Sequence, residues 1–380
     1  MLAASPEIEL QVFFCSRWGA EEYRDAGFGK TFSWDTPLLD GYSYRFLSNW
    51  GYRSGFSTFF SVANPGAGKV AFKGFDAVLI NGWSLMTNWL VWMACTLSGT
   101  PLLVRGESNG LRERKGVKGL LKRAGVSVFL RRAAACLSIG SSNAAFYRSY
   151  GVDQKRIFST PYAVDNRFFM EQARKYEGQK QAIRVKEGLP TDKPLIMFCG
   201  KFQPKKRPLD LLEAFARVQH DTPAALVFVG DGELRPDMEA YVKQAKLTDV
   251  HLVGFRNQGE IGPYYATADV LVLPSDFEPW GLVINEAMCF GLPIVASDQV
   301  GAAADLVRHG ENGYVFPVGA TNALAEHLTT LVSDASLRAR MGCASQQMIS
   351  TWGLEQDVQG VLEALDCVTS HGRRLRNPEK

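Results

Sequence analysis

The sequence shows no paired cysteines, no one-signed charge, no visible signal peptide and no metal-binding cluster. Its seven cysteines (Cys15, Cys95, Cys136, Cys199, Cys289, Cys343 and Cys367) are scattered singly, with no C-x-x-C pair and no Cys/His group at zinc-ligand spacing. That excludes a disulfide framework and suits buried, reduced thiols in a cytoplasmic protein. With 42 Lys and Arg against 39 Asp and Glu, the net charge of +3 does not by itself call for nucleic acid. Met1-Leu2-Ala3-Ala4-Ser5 has neither the basic start nor the long apolar core of a signal peptide. The histidines (His220, His251, His309, His327 and His371) all fall in the second half, so none stands ready as a nucleophile's partner in the first. No Asp-x-Asp motif occupies a suitable loop, and no metal or cofactor is expected. An uncharged run from Ala77 to Val104 is long enough to cross a bilayer. Asn81, Ser84, Thr87, Asn88, Ser98, Gly99, Thr100 and Pro101 interrupt it, so it reads as strand Ala77–Asn81, helix Ser84–Leu97 and strand Pro101–Val104.

What is present is a globular composition on a chain too long for one ordinary core: 380 residues, 46% hydrophobic and 21% charged. In the second half, apolar runs at 194–200, 224–230, 250–255, 268–274, 292–297 and 313–318 alternate with helical patterns at 208–219, 235–245, 260–266, 282–290, 302–308 and 322–332. That alternation predicts an α/β fold with a parallel, doubly wound sheet whose ligand sits at the strand C-terminal ends. The first half repeats the pattern less regularly, with strands expected at 9–15, 77–81, 102–105, 136–139 and 157–162. The expected organisation is two Rossmann-like domains facing a cleft: 1–185, then 186–352, joined through a polar linker at 178–193. A last helix from Leu354 to Leu365, within a segment 353–380, is expected to cross back to the first domain.

The richest stretch is Glu278-Pro279-Trp280-Gly281-Leu282-Val283-Ile284-Asn285-Glu286, a turn leading from a buried strand into a helix. The first amides of that helix, at Gly281, Leu282 and Val283, form a ready anion site. Glu278 stands at its mouth and Glu286 a little over one turn in, an arrangement suited to a phosphorylated, hydroxyl-rich ligand such as a sugar nucleotide. Gly200-Lys201-Phe202-Gln203-Pro204-Lys205-Lys206-Arg207 also joins a strand to a helix, and its converging amides and cations suit a diphosphate. Gly230-Asp231-Gly232 ends the next strand, where glycine permits either close approach of a ligand or merely a tight turn. Phe255 and Arg256 end the one after, beside a nucleobase or at an ordinary strand end.

In this order, with Gly254-Phe255, Pro274-Ser275, Glu286-Ala287-Met288 and Gly291-Leu292-Pro293-Ile294-Val295-Ala296, the motifs resemble the retaining glycosyltransferases of family 4, which have the GT-B fold. The resemblance covers the second domain and, more weakly, Ser138 to Phe168, where Gly151-Val152, Lys155-Arg156-Ile157 and Pro161-Tyr162-Ala163-Val164-Asp165 echo the family. It implies that Lys201 and Lys206 bind the diphosphate of a nucleoside diphosphate sugar. The family's arginine fork is replaced at Lys201 by an ammonium. By the same resemblance Glu278 holds donor-sugar hydroxyls, Glu286 the ribose, and the amides of Trp280, Gly281, Leu282 and Val283 steady sugar and phosphates, with Gly200, Gly230, Phe255 and Arg256 around them. The implied reaction is metal-independent transfer of a hexose-type sugar, with retention, to a glycan or lipid-linked acceptor in cell-surface polysaccharide or glycolipid synthesis.

Two departures stand out. The family begins with a strand and a glycine turn, whereas this chain opens at Leu2-Ala3-Ala4-Ser5 as though inside the following helix. A polar residue, often histidine, is usual at the cleft, and Arg105 and Glu107 take that place here, as site residues or as a surface salt bridge. These prompt two other readings, an impaired sugar-nucleotide-binding protein and a sugar-nucleotide epimerase of the same fold. Hydrolysis by the paired carboxylates is disfavoured, since one acid lies inside a helix behind an anion-binding turn. Gly27-Phe28-Gly29-Lys30-Thr31 has the look of a phosphate loop, but Arg24 replaces its first glycine and no apolar helix follows.

Between Leu111 and Arg132 the chain carries Arg112, Arg114, Lys115, Lys118, Lys122, Arg123, Arg131 and Arg132 against Glu113 alone, interleaved with Leu120, Leu121, Val126, Val128, Phe129 and Leu130. Two readings stay open: a helix lying on an anionic inner membrane leaflet near a lipid-linked acceptor, or a solvated helix whose apolar face packs on the first domain. With no aromatic platform among these charges, nucleic acid is not expected as a partner.

Overall fold

The computed structural model describes residues 1–25, 27–51, 58–111 and 116–376. They form two units: Met1–Tyr23, Pro37–Tyr162 and Leu354–Lys380 in the first, Arg24–Thr36 and Ala163–Gly353 in the second. The sequence places the boundary near residue 185. The second unit instead starts at Ala163, and it also takes in thirteen residues, 24–36, from the N-terminal region.

After one short 3-10 turn at Leu2–Ala4, β1 (Gln11–Phe14) leads to β2 (Tyr23–Asp25) and β3 (Lys30–Phe32), which pair with each other, and then to β4 (Ser43–Phe46). β1 pairs in parallel with β4 alone, in the register Gln11 to Ser43 through Phe14 to Phe46. The main sheet of the first unit holds β5 (Val78–Asn81), β6 (Leu102–Arg105), β7 (Ala135–Ser138) and β8 (Ile157–Ser159), all parallel and in sequence order. Between them run α1 (Met86–Ser98), α2 (Val117–Arg132) and α3 (Ser141–Ser149). Leu103, Ala135 and Leu137 are fully buried, as strands covered on both faces must be. Val91, Cys95, Val126, Phe129 and Leu130 pack on one face, and Val361, Ala364 and Val368 of the last helix cover the other.

The second unit opens with α4 (Asn166–Lys175) and α5 (Lys180–Lys186), then alternates β9 (Leu195–Cys199), α6 (Pro208–Asp221), β10 (Ala225–Val229), α7 (Arg235–Gln244), β11 (Val250–Gly254), α8 (Gly262–Thr267), β12 (Val270–Leu273), α9 (Leu282–Cys289), β13 (Ile294–Ser297), α10 (Ala303–Leu306), β14 (Gly313–Phe316), α11 (Thr321–Ser333) and α12 (Ala335–Ile349). Its six parallel strands lie in the order β11-β10-β9-β12-β13-β14. The winding therefore reverses between β9 and β12, and in such sheets the crevice beyond the strand ends at that point takes the ligand.

α5 falls inside the stretch expected to be a polar linker. Its polar composition conceals a buried anchor. Arg184 donates to the carbonyls of Thr267, Pro190 and Lys193 and pairs with Asp269 at 2.7 Å, while Ile183 is buried beside it. The last helix, α13 (Leu354–Arg376), folds with the first unit, and Arg105 at the end of β6 pairs with its Asp357 at 3.2 Å. No helix among the described residues is long and apolar enough to cross a membrane.

Candidate functional site

The loops after β9 and β12 are the two that flank the reversal in strand order, and the backbone ties them together: the Asp276 amide donates to the Lys205 carbonyl at 2.9 Å. At the first of them Gly200 ends β9, Phe202 is fully buried, and Pro204–Lys206 makes a 3-10 turn before Pro208 opens α6. The buried Phe202 ring fixes the loop to the core. Lys201 and Lys206 on either side of it are left as the loop's polar reach.

The second loop carries Glu278 into α9. A backbone bridge pins it: the Glu278 amide donates to the Gln299 carbonyl at 3.1 Å, and the Gly301 amide to the Glu278 carbonyl at 3.0 Å. Gly281 caps α9 at φ +104°, a left-handed backbone that a side chain would strain, and Leu282 and Val283 follow as its first turn. The first amides of that turn have no partner within the helix, so its N-terminus presents hydrogen-bond donors and the positive end of the helix dipole. Lys206 Nζ and the Glu278 carboxylate are in direct contact, each largely buried, so the two sequence-predicted groups meet as an ion pair.

Glu286 lies half-buried one turn into α9 and accepts a 2.6 Å hydrogen bond from the Tyr265 hydroxyl. Burial pushes its carboxyl up from the usual 4.5 to about 7, against the stabilising pull of Tyr265. Neighbouring Cys199 is pushed up to about 12 by the same burial, with the Glu286 charge adding to it. Near neutrality the Glu286 carboxyl is therefore poised between donor and acceptor.

Other expected residues turn out to have structural partners. The Trp280 ring is buried, donates to Asn285 Oδ1 at 2.9 Å and stacks on Trp352 with centroids 5.6 Å apart, so its side chain is core while its backbone enters the turn. Arg256 donates to the Tyr264 hydroxyl at 3.0 Å, and Tyr264 in turn to Glu187 at 2.7 Å. A Cβ at Gly230 would come within 1.9 Å of the Gly200 carbonyl oxygen, so this glycine lets one strand end pass under the Lys201 loop. In the first unit Glu107 accepts from the Tyr162 hydroxyl at 2.8 Å, and Arg105 lies over the Tyr162 ring and donates to the Thr160 carbonyl at 3.3 Å. Burial first, then the Glu107 charge, raises the Tyr162 hydroxyl well above its ordinary value.

Sequence reasoning missed Asp25, Phe28 and Lys30, all within residues 24–36. The Asp25 carboxylate holds Lys201 Nζ at 2.9 Å, Lys30 pairs with Asp231 at 2.8 Å, and the Phe28 and Phe255 ring centroids are 4.6 Å apart. The phosphate-loop look of Gly27 to Thr31 was the one available signal, and it pointed to the wrong device.

Residues 179–348 match the model of a known family, glycosyl transferases group 1. Over 221 residues the chain is 31% identical to a D-inositol 3-phosphate glycosyltransferase of Xylanimonas cellulosilytica, covering 57% of this chain and 52% of the relative. An N-acetyl-alpha-D-glucosaminyl L-malate synthase of Bacillus anthracis is 26% identical over 48% of this chain and 47% of its own length. The chain thus spans about half the length of these curated relatives. Among solved structures, Anabaena HepE in complex with UDP matches with a TM-score of 0.68, at 20% identity, over 85% of this chain and 86% of that one. That likeness is one of fold: two Rossmann-like units of the GT-B class.

Proposed function

We propose that the protein is a retaining glycosyltransferase that moves a hexose-type sugar from a nucleoside diphosphate sugar to a hydroxyl of a glycan or lipid-linked acceptor. The observation that carries this reading is the contact between Lys206 and Glu278 beside the N-terminus of α9, at the point where the strand order reverses. A bound diphosphate would take Lys206 from Glu278, leaving the carboxylate to accept from sugar hydroxyls. Lys201, Lys206 and the first amides of α9 would then face the charge that grows on the leaving diphosphate, the main protein contribution to such a transfer and one that calls for no metal ion. Glu286 would hold the ribose hydroxyls, and Gly200, Gly230, Phe255, Arg256 and the backbone of Trp280 to Val283 would line the donor. Glu107, held by Tyr162, would serve the acceptor side.

The test is a thermal-shift screen of UDP-, GDP- and ADP-sugars, followed by NMR of the products formed with the stabilising donor. Release of nucleoside diphosphate with an α-linked product from an α-linked donor supports the reading. A new sugar nucleotide without free diphosphate would make the protein an epimerase.

An anionic membrane surface is the proposed second partner. α2 buries Val126, Phe129 and Leu130 in the core, as one sequence reading expects, yet leaves Val117, Leu120, Leu121 and Val128 exposed beside exposed Lys122, Arg131 and Arg132. Residues 112–115, with Arg112, Arg114 and Lys115, lie outside the described residues. Apolar side chains among exposed cations fit an acidic interface. Flotation with vesicles rich in phosphatidylglycerol, and none with pure phosphatidylcholine, is the expected result. Equal flotation with both would count against charge recognition.

A further inference from the structure

The Asp25 carboxylate is built into place. It is 5% exposed, its Oδ1 accepts from the amides of Gly27 at 2.8 Å and Phe28 at 3.0 Å, and its Oδ2 accepts from Lys201 Nζ at 2.9 Å. Burial alone would raise the Asp25 carboxyl, but Lys201 and the two amides hold it below the usual range. The Phe28 ring lies under the same ammonium, 4.8 Å from ring centroid to Nζ. Gly27 allows the approach, since a Cβ there would meet Lys201 Cδ at 2.6 Å and Gln203 Nε2 at 2.9 Å. The segment then runs past the ends of three neighbouring strands. It touches Lys201 after β9, Asp231 after β10, and Phe255, Asn257 and Gly259 after β11, where the Asn257 amide group donates to the Ser33 carbonyl and the Gly259 amide to Asp35.

A lysine ammonium sits on a flexible four-carbon stem and loses rotamer freedom when it grips an anion, whereas an arginine fork is pre-organised. Here a carboxylate and a ring from a distant segment fix that stem. Two of the three ammonium N–H donors remain for another acceptor, and the Lys201 side chain keeps 33% of its exposure.

We propose that Asp25 is a positioning residue for the donor diphosphate, acting through Lys201, and that Asp25 together with residues 27–36 forms a wall of the donor site. This rests on the donor-site reading given above. Asp25 touches no donor atom itself. It sets the place of the ammonium that does.

The experiment titrates UDP, GDP and ADP, and the corresponding free nucleosides, into the full chain by calorimetry. Four proteins are compared: wild type, Asp25→Asn, Lys201→Gln and the double variant. Asn keeps an acceptor for the Gly27 and Phe28 amides, so the fold is expected to survive. The expected result is a loss of about tenfold in affinity for the preferred nucleoside diphosphate on Asp25→Asn, the size of one charge-assisted contact. No such loss is expected for the free nucleoside, and none beyond Lys201→Gln in the double variant, because coupled residues are not additive. Gly27→Ala, whose Cβ would crowd the lysine stem at Cδ (2.6 Å) and press on the Asp25 carboxylate at Oδ1 (3.1 Å), should reproduce the diphosphate-specific loss.

Additive losses, an equal loss for the nucleoside, or a gain in affinity would overturn the proposal; a gain would mean that the segment competes with the donor. If wild type binds a nucleoside diphosphate and Asp25→Asn binds it equally, this inference alone fails. If wild type binds none of the three, the donor-site reading fails and takes the inference with it.

Discussion

The Tyr265 hydroxyl donates to the Glu286 carboxylate at 2.6 Å, and that single hydrogen bond does not offset the burial of the acid, whose carboxyl rises to about 7. The folded chain therefore binds a proton at Glu286 that the unfolded chain releases near pH 4.5. Stability contributed by this group is complete at low pH and is lost as pH rises toward 7.

Glu286→Gln should remove that dependence. Gln keeps an acceptor for Tyr265 and carries no charge. Thermal denaturation should show the variant more stable than wild type at about pH 8, with the difference gone by about pH 3. Equal midpoints at both pH values would mean that Glu286 ionises freely in the folded protein.

Glu278→Ala should separate binding from turnover. Removing the carboxylate frees Lys206 for the diphosphate while depriving the sugar of an acceptor. Nucleoside diphosphate affinity should be kept, and transfer should fall by about a hundredfold or more. Lys206→Ala should instead weaken diphosphate binding, read by calorimetry. Parallel loss of affinity in both variants would argue that the pair merely shapes the loop.

Gly230→Ala should destabilise the second unit. Its φ of +144° disfavours a side chain, and the new Cβ would press on the Gly200 carbonyl, a backbone atom with no room to retreat. A cost of about 2–4 kcal/mol in chemical denaturation is expected.

Arg184→Ala should cost about 3–5 kcal/mol, because it leaves the buried Thr267 carbonyl, the half-buried carbonyls of Pro190 and Lys193 and the Asp269 carboxylate without their shared donor. Burial would raise Asp269, but Lys180, the Leu195 amide and Arg184 together hold it below the usual carboxylate range. Its contribution is therefore present above the ordinary carboxylate pKa and lost as pH falls below it, so acid should unfold wild type through this group. The variant's denaturation midpoint should be less sensitive to acid in that range.

The second sheet was legible because buried parallel strands read as near-continuous apolar runs, and all six runs from β9 to β14 became strands. Lys206 and Glu278 were legible because each sits at a strand-to-helix junction with a local signature. Arg184 was not, since its burial depends on carbonyls of Thr267, Pro190 and Lys193, and a polar segment carries no mark of that. α12 carried no comparable periodic signal: Leu337, Met341, Ser345 and Ile349 face inward, an apolar stripe broken by a buried serine. Asp25 was hidden for a different reason. Its partner lies 176 residues away, and no local pattern announces a contact over that separation.

The chain passes from one unit to the other four times, at 23/24, 36/37, 162/163 and 353/354. During synthesis, then, residues 24–36 emerge long before the strands they lie against, and the first unit waits for Leu354 onward to cover one face of its sheet. Neither half can finish folding on its own contiguous residues. A ribosome releasing this chain from its N-terminus hands over an unfinished first unit until the residues from Leu354 onward have emerged, with Leu103, Ala135 and Leu137 short of their covering helix. Such a nascent chain is a natural client for chaperones, and its yield should respond to them more than that of a protein whose domains follow one another in line.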